Sequence, residues 1–326
     1  MSSISPGPRR RERFERDVKR VALFADVKRK GVRELVDELL PLLRKRCDQV
    51  DVYLDLRQAC RRIELEGVES QPVPDLNVVL GGDGSILTVV SAFSSHPVAT
   101  LGINAGRIGF LASVGVACCA MAVEEAFDGQ CVLEPRMRLE ASHQTARNSG
   151  MSTAVALNDL VVQRGAAQGM MTLSLSDGGT WVSDYRADGL ILASPSGSTA
   201  HSLAAGGPIL APSMRGIVAT PISPQSLSHR PMVLHPDSEL EILVQEAHGL
   251  VTLAVDGHGF FPMQEGDRLL VKQHPVLYPL LARPESDAYV RIRERLGWRG
   301  RFEPEPDIQL YSDETPRPAV GDGELL

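Results

Sequence analysis

The residues best suited to chemistry are Gly81-Gly82-Asp83-Gly84-Ser85, where one carboxylate stands among three glycines. An apolar run of strand length, 76–80, leads into them, and a second apolar run, 86–93, follows at once. That pattern reads as strand, tight turn and helix. Glycines permit positive φ and let another molecule approach the backbone closely. A helix start leaves N–H groups unpaired and carries partial positive charge, which suits phosphate. Asp83 holds the one position in this turn from which a side chain can face a ligand. The same residues also fit a plain connector, so this short motif alone leaves both readings open.

A second glycine-bearing turn, Asn104-Ala105-Gly106-Arg107-Ile108-Gly109-Phe110, follows the expected strand 98–103. Two such turns on neighbouring strands would line one crevice. Arg107 is there either a phosphate ligand or a solvated surface residue. A third stretch runs from Asp188-Gly189-Leu190 into Ser194-Pro195-Ser196-Gly197-Ser198-Thr199-Ala200-His201. Its four hydroxyls within residues 194–199 exceed what one helix cap uses. The surplus points to a sugar or phosphate, and capping is the competing account. No GxxxxGK[ST] is present, so the P-loop lysine is missing. No GxGxxG supports a hydride-transferring dinucleotide enzyme, and no GxSxG surrounds Ser196 or Ser198. The eight histidines show no ligand spacing, so no protein-held metal is expected.

The elements that must position these turns follow from periodicity. Residues 21–25, 50–54, 76–80 and 98–103 read as strands, and 32–43, 86–93 and 112–127 as helices. Alternation of this kind gives a parallel α/β sheet, with ligands beyond the C-terminal ends of the strands. From residue 131 the runs are strand-like: 155–157, 160–162, 171–176, 181–185, 190–193, 240–244, 250–255 and 269–272. Asp177-Gly178-Gly179 marks a hairpin, and the whole predicts a second, mainly β domain. Residues 207–231, rich in Pro, Ser and Gly, are expected to form a long ordered loop, and 289–298 a late helix. The expected organisation is a disordered arm over 1–17, an α/β domain over 18–130 plus 286–300, a mainly β domain over 131–285, and a disordered acidic tail over 301–326.

Composition sets the outer limits. The 326 residues are 43% hydrophobic and 23% charged, as in ordinary globular chains. A net charge of −7 disfavours whole-chain nucleic-acid binding, so an anionic ligand needs local positive groups. No apolar run reaches the ~18 residues that span a bilayer, and the Arg- and Pro-rich start is no secretory signal. Five scattered cysteines without a CxxC pair are expected to stay reduced, as in the cytoplasm.

The motifs together resemble the NAD kinases, which move a phosphoryl group from ATP to the 2′-hydroxyl of NAD's adenosine ribose. The matching pieces are Gly81 to Ser85, Leu101 to Leu111, Leu157-Asn158-Asp159, Arg186-Ala187-Asp188-Gly189-Leu190, the 194–208 stretch and Ala219-Thr220-Pro221-Ile222-Ser223-Pro224. They fall in the family's order, and the ordered set is far more specific than the first motif. The resemblance implies an α/β domain, a β domain, a nucleotide site between them, and a last helix returning to the first domain. It implies Asp83 as base, with Gly81, Gly82, Gly84, Ser85, Asn104, Gly106 and Arg107 around the nucleotide. It also implies contacts to NAD from Asn158, Asp159 and His258, and from Arg186 and Asp188 across a subunit interface. Ser196, Thr199, Ala200, His201, Ser202, Leu203 and Ala204 would wall the adenine pocket. Mg²⁺ would accompany ATP, and the chain would form a homodimer or homotetramer. Three positions differ from the usual family pattern: Asp159 replaces a glutamate, His201 an adenine-stacking tyrosine, and Thr88 a residue that is basic in many members. These differences keep two alternatives open, a catalytically weak or inactive nucleotide-binding regulator of the same fold, and a kinase for another hydroxyl.

Overall fold

A computed structural model describes residues 12–70, 72–106, 109–146, 151–165 and 169–298. Residues 1–11 of the expected arm, the expected tail over 301–326, and Arg107 lie outside the described residues. The chain opens with β1 (Arg20–Ala25), α1 (Val32–Arg46), β2 (Gln49–Tyr53), α2 (Leu56–Glu66), β3 (Leu76–Leu80) and α3 (Asp83–Ala92). Next come β4 (Ala99–Asn104), β5 (Val114–Gly115), α4 (Cys119–Phe127), β6 (Val132–Arg136), β7 (Leu139–Gln144) and β8 (Met151–Ala156). Then follow β9 (Asp159–Arg164), β10 (Met171–Asp177), β11 (Thr180–Ala187), β12 (Gly189–Ala193), α5 (His201–Ala204) and β13 (Ile217–Ile222). The last elements are β14 (Met232–Leu234), β15 (Leu240–Glu246), β16 (Val251–Val255), β17 (Gly259–Met263), β18 (Arg268–Gln273), β19 (Tyr278–Ala282) and α6 (Ala288–Leu296).

The first sheet has the order β2-β1-β3-β4-β19-β6, with β5 beside β4. Its strands are parallel except β6, which runs antiparallel to β19. β3 and β4 are buried along their whole length, as parallel strands covered on both faces must be. One face packs α1 and α4 through Leu35, Leu39, Leu43, Ala122 and Ala126. The other packs α2 and α3 through Cys60, Ile63, Ile86 and Val90. The second half is two antiparallel six-stranded sheets, β11-β10-β15-β18-β7-β8 and β14-β13-β12-β9-β16-β17. They close over a shared core that includes Leu139, Leu173, Tyr185, Leu190, Leu192 and Leu253. The chain is thus a mostly parallel α/β layer joined to a β-sandwich, the fold class expected from periodicity.

Several expectations require correction. Residues 12–17 are not a free arm: Phe14 is 2% exposed, its N–H donates to Cys131 O, and Arg13 bridges to Val132. One aromatic side chain with a place in the core is enough to pin the segment. The β half does not run from 131 to 285, because β6 and β19 extend the first sheet. Leu133 and Leu281 are apolar and close the α1–α4 side of that core. Residues 207–231 are not all loop, since β13 is a buried strand between β12 and β14. The Pro, Ser and Gly content of 207–231 argued for loop, yet Ile217, Val218 and Thr220 are β-favouring. The expected helix 112–127 begins only at Cys119, after the short strand β5. α2, which periodicity had not assigned, is amphipathic: Leu56, Ala59, Cys60 and Ile63 are buried, and Asp55 caps it by accepting from Gln58 N.

Candidate active site

β3 ends at Leu80, and Asp83 is the first residue of α3, a helix whose start has no side-chain cap. Gly81, Gly82 and Gly84 all lie outside the positive-φ set. Close approach explains two of them instead. A Cβ on Gly81 would lie 2.2 Å from Ser85 Oγ, and one on Gly82 2.8 Å from an Arg29 guanidinium nitrogen. Ser85 is buried.

The Asp83 carboxylate gathers the second glycine turn around itself. Oδ2 accepts from Phe110 N at 2.9 Å, and Oδ1 from Leu111 N at 3.2 Å and Ala112 N at 3.0 Å. A Cβ on Gly109 would meet Oδ1 at 1.9 Å, so only glycine lets the loop close this tightly. A carboxylate offers about four lone-pair positions, and these bonds leave one on Oδ2. The half-buried Asp83 is therefore fixed in orientation while keeping one acceptor position. Asn104, buried at the end of β4, steadies the same loop by accepting from Gly106 N at 2.9 Å.

A second carboxylate does the same for the turn before β9. Asp256 accepts from Leu157 N at 2.8 Å, Asn158 N at 2.7 Å and Asp159 N at 3.0 Å. Its own N–H donates to Asp159 O, and its φ of 49° is left-handed. Sequence reasoning treated Asp256 only as the flank of His258. Its signal was the Asp-Gly pair closing the 250–255 run, a turn former from which a carboxylate can bond backbone. From the other side, Ser194 N donates to Asn158 O, and a Cβ on Gly197 would sit 2.0 Å from that oxygen.

This packing leaves Asn158 Oδ1 buried without a hydrogen-bond partner, and the Asp159 carboxyl beside it, on a residue 5% exposed, makes no hydrogen bond among the described residues. Burial first, and Asp256 second, push the Asp159 carboxyl up to about 7. Burial also raises Asp256, against the pull of the three N–H groups and of His258. Unsatisfied buried oxygens are costly unless a ligand completes them. His258, on the β16–β17 turn, links the two halves: its Nε2 lies 3.1 Å from Thr88 Oγ1 on α3 and its Nδ1 2.7 Å from Asp256 O.

The serine-rich stretch corrects the surplus argument. Ser194 Oγ donates to Leu157 O, Ser198 Oγ to Pro195 O, and Thr199 Oγ1 to Ser196 O. Ser198 also accepts from Leu210 N, and Ser202 bonds Thr220. These hydroxyls hold the turn rather than face outward, and Ser196 and Ser202 are buried. Thr199, Ala200 and Leu203 remain partly accessible, and His201 and Ala204 are exposed.

Among the described residues, no contact joins Arg186 or Asp188 to Asp83. Asp188 precedes β12 and pairs with Arg164 at 2.6 Å, whereas Ser194 follows β12. Five strand residues separate those ends by about 17 Å. Arg186 is exposed. Two cations that sequence reasoning missed do lie near the first turn. Arg136, buried against Glu134, feels the Asp83 charge, and the Arg295 guanidinium lies 5.7 Å from the centre of the Phe110 ring. Neither residue belongs to a recognisable motif.

Comparison with known proteins now bears on this cleft. Residues 43–131 match the ATP-NAD kinase N-terminal domain, and residues 157–279 the ATP-NAD kinase C-terminal domain. The NAD kinase of Nitrosospira multiformis is 38% identical over 228 residues, covering 69% of this chain and 76% of that protein. The chain belongs to the NAD kinase family. The NAD kinase of Trichlorobacter lovleyi is 33% identical over 290 residues, 87% of this chain and 100% of that one. Among solved structures, yeast NADH kinase complexed with NADH superposes with a TM-score of 0.76 at 27% identity, covering 91% of this chain and 94% of that one. An NAD kinase from Archaeoglobus fulgidus in complex with ATP, at 22% identity and a TM-score of 0.65, shares the fold; the match covers 86% of this chain and 97% of that one. In this family member, among the described residues, no three His, Cys, Asp or Glu side chains converge on a metal position. No described helix is long and apolar enough to cross a membrane.

Proposed function

We propose that this chain is an NAD kinase in which Asp83 takes the proton from the 2′-hydroxyl of NAD's adenosine ribose as ATP's γ-phosphoryl group is transferred. The observation that carries the reading is the Asp83 carboxylate, locked by three backbone N–H groups yet keeping one lone pair of Oδ2. A base held this way needs no reorganisation when the hydroxyl arrives. Phosphoryl transfer has a loose transition state, so positioning and charge neutralisation dominate. Asn158, whose buried Oδ1 lacks a partner, and the neighbouring Asp159 suit sugar hydroxyls. Thr199, Ala200, His201, Leu203 and Ala204 offer the partly open wall for adenine.

A divalent ion fits as a companion of ATP. Mg²⁺ is commonly held by substrate phosphates and water with few protein oxygens, so it would not need a ligand cluster of the protein's own. The ion would neutralise phosphate charge when bound.

Arg186 and Asp188 belong, on this reading, to a neighbouring chain's site in a homodimer or homotetramer, because β12 sets them at the strand end opposite Ser194. The five free cysteines support a reducing, cytoplasmic setting. Incubating the purified protein with ATP, Mg²⁺ and NAD should yield NADP. Absence of NADP would end the kinase reading and favour a regulator that binds nucleotide without turnover. Light scattering in solution should give a dimer or tetramer mass, and a monomer would remove Arg186 and Asp188 from the site.

A further inference from the structure

The two oxygens of Asp83 are not held alike. Oδ1 accepts from Leu111 N and Ala112 N, whereas Oδ2, which keeps the spare lone pair, accepts from Phe110 N alone, at 2.9 Å. Where Phe110 sits therefore decides where that lone pair points. Leu111 and Ala112 are fixed by burial, since both side chains belong to the core beneath α2 and α3. Phe110 is half-buried and joins none of the hydrophobic clusters among the described residues. The donor that matters most to Oδ2 is thus the one that the core does not hold.

The Phe110 ring is met instead from the far end of the described chain. The Arg295 guanidinium carbon lies 5.7 Å from the ring centre, inside the roughly 6 Å range of cation–π attraction. Arg295 makes no ion pair among the described residues, so no carboxylate competes for it. Its helix, α6, is fastened one turn earlier. Arg291, 5% exposed, donates through Nη2 to both oxygens of Glu134 on β6, at 2.9 and 2.7 Å. Ile292 is buried beside it, and Asp287 caps the helix by accepting from Tyr289 N and Val290 N. Residues four apart share a helix face, so the turn that ties Arg291 to β6 also aims Arg295 at Phe110.

We infer that Arg295 is a positioning residue: from α6 it holds the Phe110 ring and so keeps Asp83 Oδ2 aimed at the acceptor hydroxyl. The inference rests on the kinase reading above and adds that α6 serves turnover without touching either substrate. Removing the cation loosens Phe110 first, because Leu111 and Ala112 stay in the core.

Amide hydrogen exchange in the free, full-length chain tests the contact without any turnover. Arg295→Gln should speed exchange at the Phe110 amide about two- to fivefold, the scale of one exposed cation–π contact. The amides of residues 157–159, which bond Asp256, should keep their wild-type rates and so exclude a general loosening. Arg295→Lys, which leaves a cation over the ring, should restore the Phe110 rate. Equal exchange at Phe110 in wild type and Arg295→Gln overturns the inference. In NADP formation, Arg295→Gln should lower kcat by the same factor with KM for NAD and for ATP unchanged, and Arg295→Lys should recover it. Phe110→Leu should lose as much by itself, and adding Arg295→Gln to it should bring no further loss. Losses that add in the double variant overturn the inference. Weaker binding of ATP or NAD with unchanged exchange would make Arg295 a ligand contact and overturns it as well. If wild type forms no NADP, the kinase reading fails and the catalytic use of the contact with it, while exchange at Phe110 still decides whether Arg295 holds the loop.

Discussion

Asp83 and Asp256 each commit a carboxylate to three consecutive backbone N–H groups. Bonds from backbone to a charged acceptor are stronger than neutral ones, so each aspartate sets the shape of a loop rather than following it. Asp159 is left as the strained member of the site. Burial and Asp256 hold it neutral until about pH 7, whereas an aspartate in the unfolded chain ionises near about 3.9. Between those values the folded state carries the extra proton, so stability falls as pH rises through that window. Asp159→Asn should therefore stabilise the protein at pH above about 7 and have little effect near pH 4. The ceiling is about 4 kcal/mol, at 1.36 kcal/mol per pKa unit. Thermal unfolding of both proteins across pH checks this; an equal melting difference at both ends would contradict it. Asp83 was legible in the sequence because glycines isolate it. Asp256 was not, because its partners at 157–159 lie nearly a hundred residues away.

At the scale of elements, the site is made by turns closing on turns. Gly109 brings the 109–112 loop onto Asp83, and Gly197 brings the serine turn onto Asn158. Gly109→Ala places a methyl group 1.9 Å from Asp83 Oδ1, which backbone or carboxylate must vacate. The expected result is a loss of about 2 kcal/mol or more in denaturant unfolding, with NADP formation falling further than stability explains. Wild-type stability and turnover in this variant would contradict the closure described here. β3 and α3 were readable because an apolar run of strand length meets a glycine turn. β13 was hidden by Pro221 and by its Pro- and Ser-rich neighbours, since the strand is recognised only through burial beside β12. The serine stretch was misread for a related reason. Composition counts hydroxyls but does not reveal that Leu157 O, Pro195 O, Leu210 N and Thr220 use them.

For the whole molecule, the chain passes between the two halves at residues 137–138 and again at 274–277, and Arg138 ties these crossings together. Fully buried, it donates to Val276 O at 2.9 Å and Ser94 O at 2.7 Å, and its Nη2 lies 3.0 Å from His274 Nδ1. Arg138→Met should leave these acceptors unpaired at about 1–3 kcal/mol each. Its melting point should drop, and limited proteolysis should cut faster near both crossings. Wild-type cleavage kinetics would show that the halves hold without this strap. The division into an α/β layer and a β half was visible in hydrophobic period, but the exchange of β6 and β19 was not, because any apolar run fits either core. The central claim is that the cleft between these halves phosphorylates NAD through Asp83. The most direct measurement is NADP formation by wild type and Asp83→Asn, together with NAD affinity and melting point. Turnover should fall by about 10²–10⁴-fold, the range for losing a general base. NAD affinity should stay within severalfold, and the melting point should drop modestly as an amide N–H meets Phe110 N–H. Unchanged turnover in Asp83→Asn would contradict the account.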